Sequence, residues 1–295
     1  MLSIDWIHAI EHSHLTVESG EAIGRGRSLL DNGPYIERPV EVDQAGRIVL
    51  PAGLSAADLH CHTDRSDGVV PLEHVLDVAE SRGIRVLAVT DHDMIRGALE
   101  ASQLSIHRET DLVVGQEVTT RWQHHIIGLY LSEPVPLFRT VPDTVRAIRQ
   151  QGGLAVVAHP GLGLPTSASL RAITGWMKET TFDGIELDSS FLSSPARRNL
   201  LDFYKKHGER LGAGIGGTDA HYGDVGRVIT IFEGETPDDL RTAIESRRTV
   251  VARTNLEYPG ADWRMRLKNQ QRALLWLPLY RLKVMLGGNY SKARR

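Results

Sequence analysis

Ala57-Asp58-Leu59-His60-Cys61-His62-Thr63-Asp64 is the stretch on which the reading of the chain turns. An apolar approach runs into two histidines spaced two residues apart. In an extended strand residues i and i+2 share a face, so both imidazoles project together and Cys61 points away. Outward from this stretch a rhythm repeats. Short apolar strands are predicted at 57–61, 86–90, 112–114, 126–130, 154–158, 184–187, 210–213 and 228–232. Helices are predicted between them at 71–82, 95–107, 142–151, 195–207 and 237–246, several opening on Pro and stopping at Gly. Strands alternating with helices imply parallel pairing, and this many units point to a closed or nearly closed α/β barrel.

Polar residues follow the strands in a regular way. After the first come His60, His62 and then Asp67. Thr90-Asp91-His92-Asp93 follows the second and Gly115-Gln116-Glu117 the third. His124-His125 introduces the next strand instead of following it, and either imidazole could be the functional one. His159 ends the strand 154–158, and Asp219 and His221 lie in Gly217-Thr218-Asp219-Ala220-His221. The C-terminal ends of strands are where barrel enzymes build their sites. Six histidines and three carboxylates exceed what one metal can use, so two or three cations sharing a bridging carboxylate are expected. Asp91 and Asp93 flank His92 as candidates to orient it. Arg227, with Arg65 and Arg121 as further choices, could hold a phosphate by paired hydrogen bonds.

Seven ordered motifs carry a family resemblance: Asp58 to His62, Ser66-Asp67-Gly68, Thr90 to Asp93, Gly115 to Glu117, His125 to Leu129, Ala158 to Gly161 and Thr218 to His221. In these the chain resembles the polymerase and histidinol phosphatase (PHP) superfamily, and within it the TrpH-like metal-dependent phosphoesterases. The resemblance implies a distorted (β/α)7 barrel with a trinuclear centre of zinc, manganese or iron. It implies that His60, His62, Glu117 and Asp219 hold one cation. Glu117 would bridge to a second, completed by His125 and His159, while Asp67, His92 and His221 hold a third. The implied chemistry is attack of a metal-bridging hydroxide on phosphorus, with Glu117, Asp219, His221 and Asp91 as the catalytic set and Arg227 and Arg65 as substrate contacts. A small phosphate ester, a nucleotide or an oligonucleotide 5′ end is the expected substrate. Hydrolysis of a non-phosphate ester, carbamate or amide by the same centre is the first alternative. A binding module without turnover is the second.

Composition bounds the remainder. The chain has 295 residues, 41% hydrophobic and 24% charged, an ordinary globular balance. Its organisation reads as an extension over 1–55 with a small β hairpin, a barrel over 56–250 and a basic amphipathic segment over 251–295. Cys61 is the sole cysteine, so no intrachain disulfide forms. With no basic-then-apolar leader at the start, a cytoplasmic setting is expected. Of 13 histidines, His8, His12, His14, His74, His107 and His207 read as surface residues, and Glu186 as a polar anchor facing the core. From Trp263 onward the chain carries nine Lys/Arg and no acid, leaving the rest at a formal −12. That acidic remainder argues against duplex DNA as a partner. The tail over 263–286 reads as a helix broken or kinked at Pro278, packed on the barrel or on a second copy, lying on a membrane surface, or attracted to phosphate or nucleic acid.

Overall fold

The computed structural model of the protein describes residues 29–31 and 33–286; the readings of His8, His12 and His14 lie outside the described residues. Ten strands form one sheet: β1 (Tyr35–Val40), β2 (Leu54–Cys61), β3 (Ile84–Val89), β4 (Asp111–Thr119), β5 (His125–Leu129), β6 (Leu154–Val157), β7 (Gly184–Asp188), β8 (Ala213–Gly216), β9 (Val228–Glu233) and β10 (Val250–Thr254). Their spatial order is β1-β10-β9-β2-β3-β4-β5-β6-β7-β8. The sheet curls until β8 meets β9. There Thr230 Oγ1 accepts from the Gly216 amide at 2.8 Å and donates to the Gly216 carbonyl at 2.9 Å. The result is a distorted, nearly closed barrel whose sheet has ten strands, two more than the apolar runs predict.

The alternation implies parallel pairing, which holds for β2-β3-β4 and β6-β7-β8. Two strands run the other way. β9 is antiparallel to both β2 and β10, and β5 to both β4 and β6. For β5 the reason is length. Only residues 120–124 separate it from β4, and a parallel crossover needs roughly a dozen residues. Reversal puts the start of β5 beside the end of β4, with Thr119 opposite His125. That explains how a histidine preceding its strand reaches the same rim as residues that follow theirs.

Helices α1 (Leu72–Ser81), α2 (Arg96–Leu104), α3 (Val141–Gln150), α4 (Leu170–Trp176), α5 (Ser194–Leu211) and α6 (Pro237–Glu245) cover the sheet. Their ends are written locally. Ser193 and Thr236 accept from amides three residues on, and Asp239 completes a capping box with Thr236. Helix α1 buries Leu72, Val75, Leu76 and Ala79 against Ile84, Leu87 and Val89, each large side chain contributing roughly 1.5–3 kcal/mol. The strand expected at 210–213 starts at Ala213, because α5 runs on to Leu211 and Gly212, at φ 75°, turns the chain. Helix α4 and strand β10 have no counterpart among the expected elements.

The tail is helical throughout 263–285. Helix α7 (Trp263–Gln271) passes through a π turn (Arg272–Trp276) into α8 (Leu277–Met285). Pro278 does not end the helix. It sits in the first turn of α8, just after the π turn, whose wider spacing accommodates the missing N–H. Among the described residues no helix is long and apolar enough to cross a membrane.

Candidate metal centre

Strand alternation puts Asp58 and His60 on one face of β2, and His62 continues it one step past the strand end. The segment after β8 folds back against this end: the His62 amide donates to Ala220 O and the Asp219 amide to His60 O, each at 2.9 Å. Asp58, fully buried, holds that segment by accepting from Thr218 N and Oγ1 and from Gly226 N. Burial raises the Asp58 carboxyl to about 6, against the pull of these donors.

The structure brings all nine expected ligands together. Glu117 lies at the middle, fully buried, with its two oxygens turned to different partners. Oε1 is 2.7 Å from His125 Nδ1 and 2.8 Å from His159 Nε2. Oε2 is 3.0 Å from His92 Nδ1 and 3.3 Å from the Nε2 atoms of both His60 and His62. Asp219 Oδ1 is 3.2 Å from His62 Nε2 and 3.5 Å from His60 Nε2. Asp67 faces His221 Nε2 at 3.3 Å and His62 Nδ1 at 3.6 Å. Four sets of donor atoms lie close enough to share an ion: His62-Asp67-His92-His221, His60-His62-Asp219, His60-Glu117-His159 and His92-Glu117-His125. His62 therefore reaches the Asp67 set as well as the Asp219 set. His124 turns away to lie against Trp176 with the rings tilted by 59°, and His125 is the buried member of the pair.

Several of these close contacts are not hydrogen bonds. His62 Nδ1, His92 Nδ1, Glu117 Oε2, both ring nitrogens of His125 and His159 Nδ1 are buried without a hydrogen-bond partner. Buried polar atoms left unpaired are costly, and imidazole nitrogens closing on buried carboxylates from several sides are the arrangement of ligands around a cation. The donor set, imidazole nitrogen and carboxylate oxygen, suits divalent transition metals. The electrostatics agree. Burial opposes charge on every group, but the Asp67 and Asp219 carboxylates push His221 up to about 10, and Glu117 and Asp67 push His92 up to about 9. Burial, with His221 and His92 close by, drives His62 down to about 3 and so keeps it neutral. Glu117 and Asp67 are held well below the usual carboxylate range by these histidines, despite burial.

The surrounding residues hold the ligands in place. Glu186 on β7 accepts from His60 Nδ1 at 2.9 Å and from the His159 amide, which leaves His60 Nε2 facing inward as an acceptor. Asp91 lies outside the four sets. Its carboxylate accepts from Thr63 N at 2.8 Å, Thr63 Oγ1 at 2.7 Å and Ser66 Oγ at 2.5 Å, clamping the loop that carries Asp67. Asp93 accepts from Thr119 and from Arg281 Nε at 2.6 Å. From the tail, Arg272 Nη1 reaches the carbonyls of Asp64, Ser66 and Gly68, and Asn269 Nδ2 donates to Asp67 O at 2.9 Å. Sequence reading assigned no role to Asp58, Ser66, Asn269, Arg272 or Arg281. Three residues here take left-handed backbone without being glycine: Asp93 at φ 61°, His159 at 26° and Asp219 at 56°. Strain of this kind concentrates at functional sites.

The expected phosphate contacts are occupied. Arg65 forms a two-point pair with Glu100, at 2.9 and 2.6 Å, and a third bond to Asp64. Arg227 pairs with Asp224 at 3.1 Å and lies over the Tyr258 ring. Arg121 lies over Trp122.

Comparison with known proteins places this arrangement. A 5'-3' exoribonuclease of Haemophilus influenzae is 32% identical over 102 residues, 34% of this chain and 37% of that protein. A 3',5'-nucleoside bisphosphate phosphatase of Chromobacterium violaceum is 30% identical over 124 residues, 41% of this chain and 42% of that protein. The chain thus spans well under half of either relative. An uncharacterized protein of Methanocaldococcus jannaschii is 34% identical over 146 residues, 46% of this chain and 82% of that one. Among solved structures, a two-domain protein from Bacteroides vulgatus containing a predicted PHP-like metal-dependent phosphoesterase superposes with a TM-score of 0.61. It is 20% identical, over 78% of this chain and 74% of that one, a likeness of fold. The PHP domain profile matches residues 58–257, from the aspartate behind the first histidine pair to just beyond β10, and the chain belongs to the PHP domain family.

Proposed function

We propose that the protein is a metal-dependent phosphoesterase acting on a small phosphate ester, a nucleotide or the 5′ end of an oligonucleotide. The observation that carries this reading is Glu117, whose two oxygens face separate groups of imidazoles in a buried cluster of nine ligand-type side chains. His60, His62, Glu117 and Asp219 would hold one divalent cation, Glu117, His125 and His159 a second, and Asp67, His92 and His221 a third. Such cations, when bound, supply Lewis-acid polarisation of a phosphoryl group and activation of water for attack on phosphorus.

The chain's own residues set the conditions. Family membership and the names of the two functionally described relatives support phosphoester chemistry. Glu186 fixes the His60 tautomer, and Asp91 and Arg272 hold the Asp67 loop, so the ligands need little rearrangement on binding. His221, His92 and Asp219 stand at the least enclosed edge, with side chains 14%, 11% and 10% exposed, where a substrate oxygen can approach. Arg227 is the less restrained of the two substrate-contact candidates, held by one ion pair and a ring contact while Arg65 is fixed by three hydrogen bonds.

A screen of phosphate mono- and diesters on metal-loaded protein tests the reading. Turnover of an aryl phosphate but not of the matching aryl carbamate is expected. Glu117→Gln is expected to cut turnover by roughly a thousandfold or more while circular dichroism stays unchanged. Full activity in that variant, or cleavage of the carbamate alone, would refute the proposal.

A further inference from the structure

The feature that the phosphoesterase reading leaves unused is the outer face of the tail helix. Its inner face is engaged: Leu277 is buried, and Lys268, Asn269, Arg272 and Arg281 bond to Val69, Asp67, the Asp64–Gly68 loop and Asp93. The outer face is apolar and open. Leu274 is 71% exposed, Leu275 63%, Leu279 66% and Leu286 79%, with Leu282 and Met285 continuing the stripe. A groove of about 330 Å³ runs along it between Lys268, Arg272, Leu275, Trp276 and Leu279. A contiguous apolar stripe of this kind marks an interaction surface on a water-soluble chain.

Charge selects the occupant. From Trp263 to the last residue the sequence has nine Lys/Arg and no Asp or Glu, while everything before it sums to a formal −12. In a symmetric pair this cationic face would meet its own copy. Besides leucine the face shows Trp263, 68% exposed, and Trp276, 42% exposed, amphipathic rings of the kind that settle at the headgroup level of a bilayer. Leucines flanked by the exposed cations Arg264 and Lys283 match a bilayer carrying negative headgroups, the apolar side chains entering the acyl boundary and the long cations reaching the headgroups. We propose that the segment 263–286 docks on an anionic lipid surface. The helix also grips the loop around Asp67, so docking would seat the metal centre beside that surface.

Flotation of the full-length, metal-loaded protein with vesicles tests this independently of turnover. Phosphatidylcholine vesicles containing phosphatidylglycerol are expected to carry roughly tenfold or more protein than phosphatidylcholine alone, with the difference shrinking as salt rises. Leu275→Glu/Leu279→Glu is expected to lose roughly tenfold or more of this binding, with metal content unchanged as evidence of an intact fold. Arg264→Glu/Lys283→Glu should abolish the preference for the anionic vesicles. Absence of binding to anionic vesicles at low salt overturns the proposal, as does equal binding by the leucine variant. A lipid-independent dimer in light scattering that the leucine variant dissociates would assign the face to a second copy and overturn it too.

Discussion

Glu186 belongs to none of the four ion-sharing sets, yet it governs two residues that do, His60 through Nδ1 and His159 through its backbone amide. Glu186→Gln keeps the shape and weakens the hold on the His60 proton. Cation affinity is expected to fall about 10- to 100-fold, read by competition with a chromophoric chelator. An unchanged affinity would strip Glu186 of its orienting role. The contrast with the ligands shows what a sequence displays at this scale. His60 and His62 are legible because two imidazoles two residues apart at a strand end are a local pattern. Glu186 is one of two acids in the strand Gly184–Asp188, and its partner is 126 residues away. Asp58 sits inside a readable motif, but its work on Thr218 and Gly226 depends on a contact across the barrel. Asp91 and Arg65 were legible as polar residues near the site. Their actual partners, Thr63, Ser66 and Glu100, follow from how the loop folds back.

Strand positions could be read from apolar runs, but strand direction could not, because hydrophobic alternation is the same whichever way a strand points. The reversal of β5 and β9 is a matter of connection length and of which edge remains free. The tail shows the same limit from the other side. Its cations and leucines are plain in the sequence, whereas the π turn that carries the helix past Pro278 has no local signal. Nor does sequence show that Arg272 ends on three carbonyls of the Asp67 loop. Arg272→Ala is expected to cost about 1.5–3 kcal/mol in denaturant unfolding, since charge-assisted hydrogen bonds to a partly buried loop are lost. It should also lower the cation content by releasing the loop. Arg272→Lys, a single ammonium in place of a planar fork, should recover part of the stability only. Wild-type stability and wild-type metal content in the alanine variant would show the contact to be incidental.

At the scale of the whole molecule, nine ligand-type groups, eight of them buried, make stability depend on what they hold. With no cation bound, protons take that place. His92 and His221 are pushed up to about 9 and about 10, above the ordinary 6.5, because nearby carboxylates outweigh burial. A folded-state value above the unfolded one means that the folded chain holds the proton more tightly. The resulting stabilisation is complete below about 6.5 and is lost as pH rises through about 9 to 10. Chelator-stripped protein should therefore melt at progressively lower temperature across that interval. Adding zinc or manganese should release protons in a pH-stat and raise the melting temperature. Each tight site filled at a hundredfold excess over its dissociation constant is worth about 2.7 kcal/mol. A melting temperature indifferent to both pH and cations would remove the centre from the energetics of the fold. The pairing of β2 with β9 reaches further, into the making of the chain. The strand bearing His60 leaves the ribosome about 170 residues before its neighbour at Val228–Glu233. One edge of the histidine strand stays open over that interval. Completion of the barrel, and any competence to trap a cation in it, waits until β9 has been made.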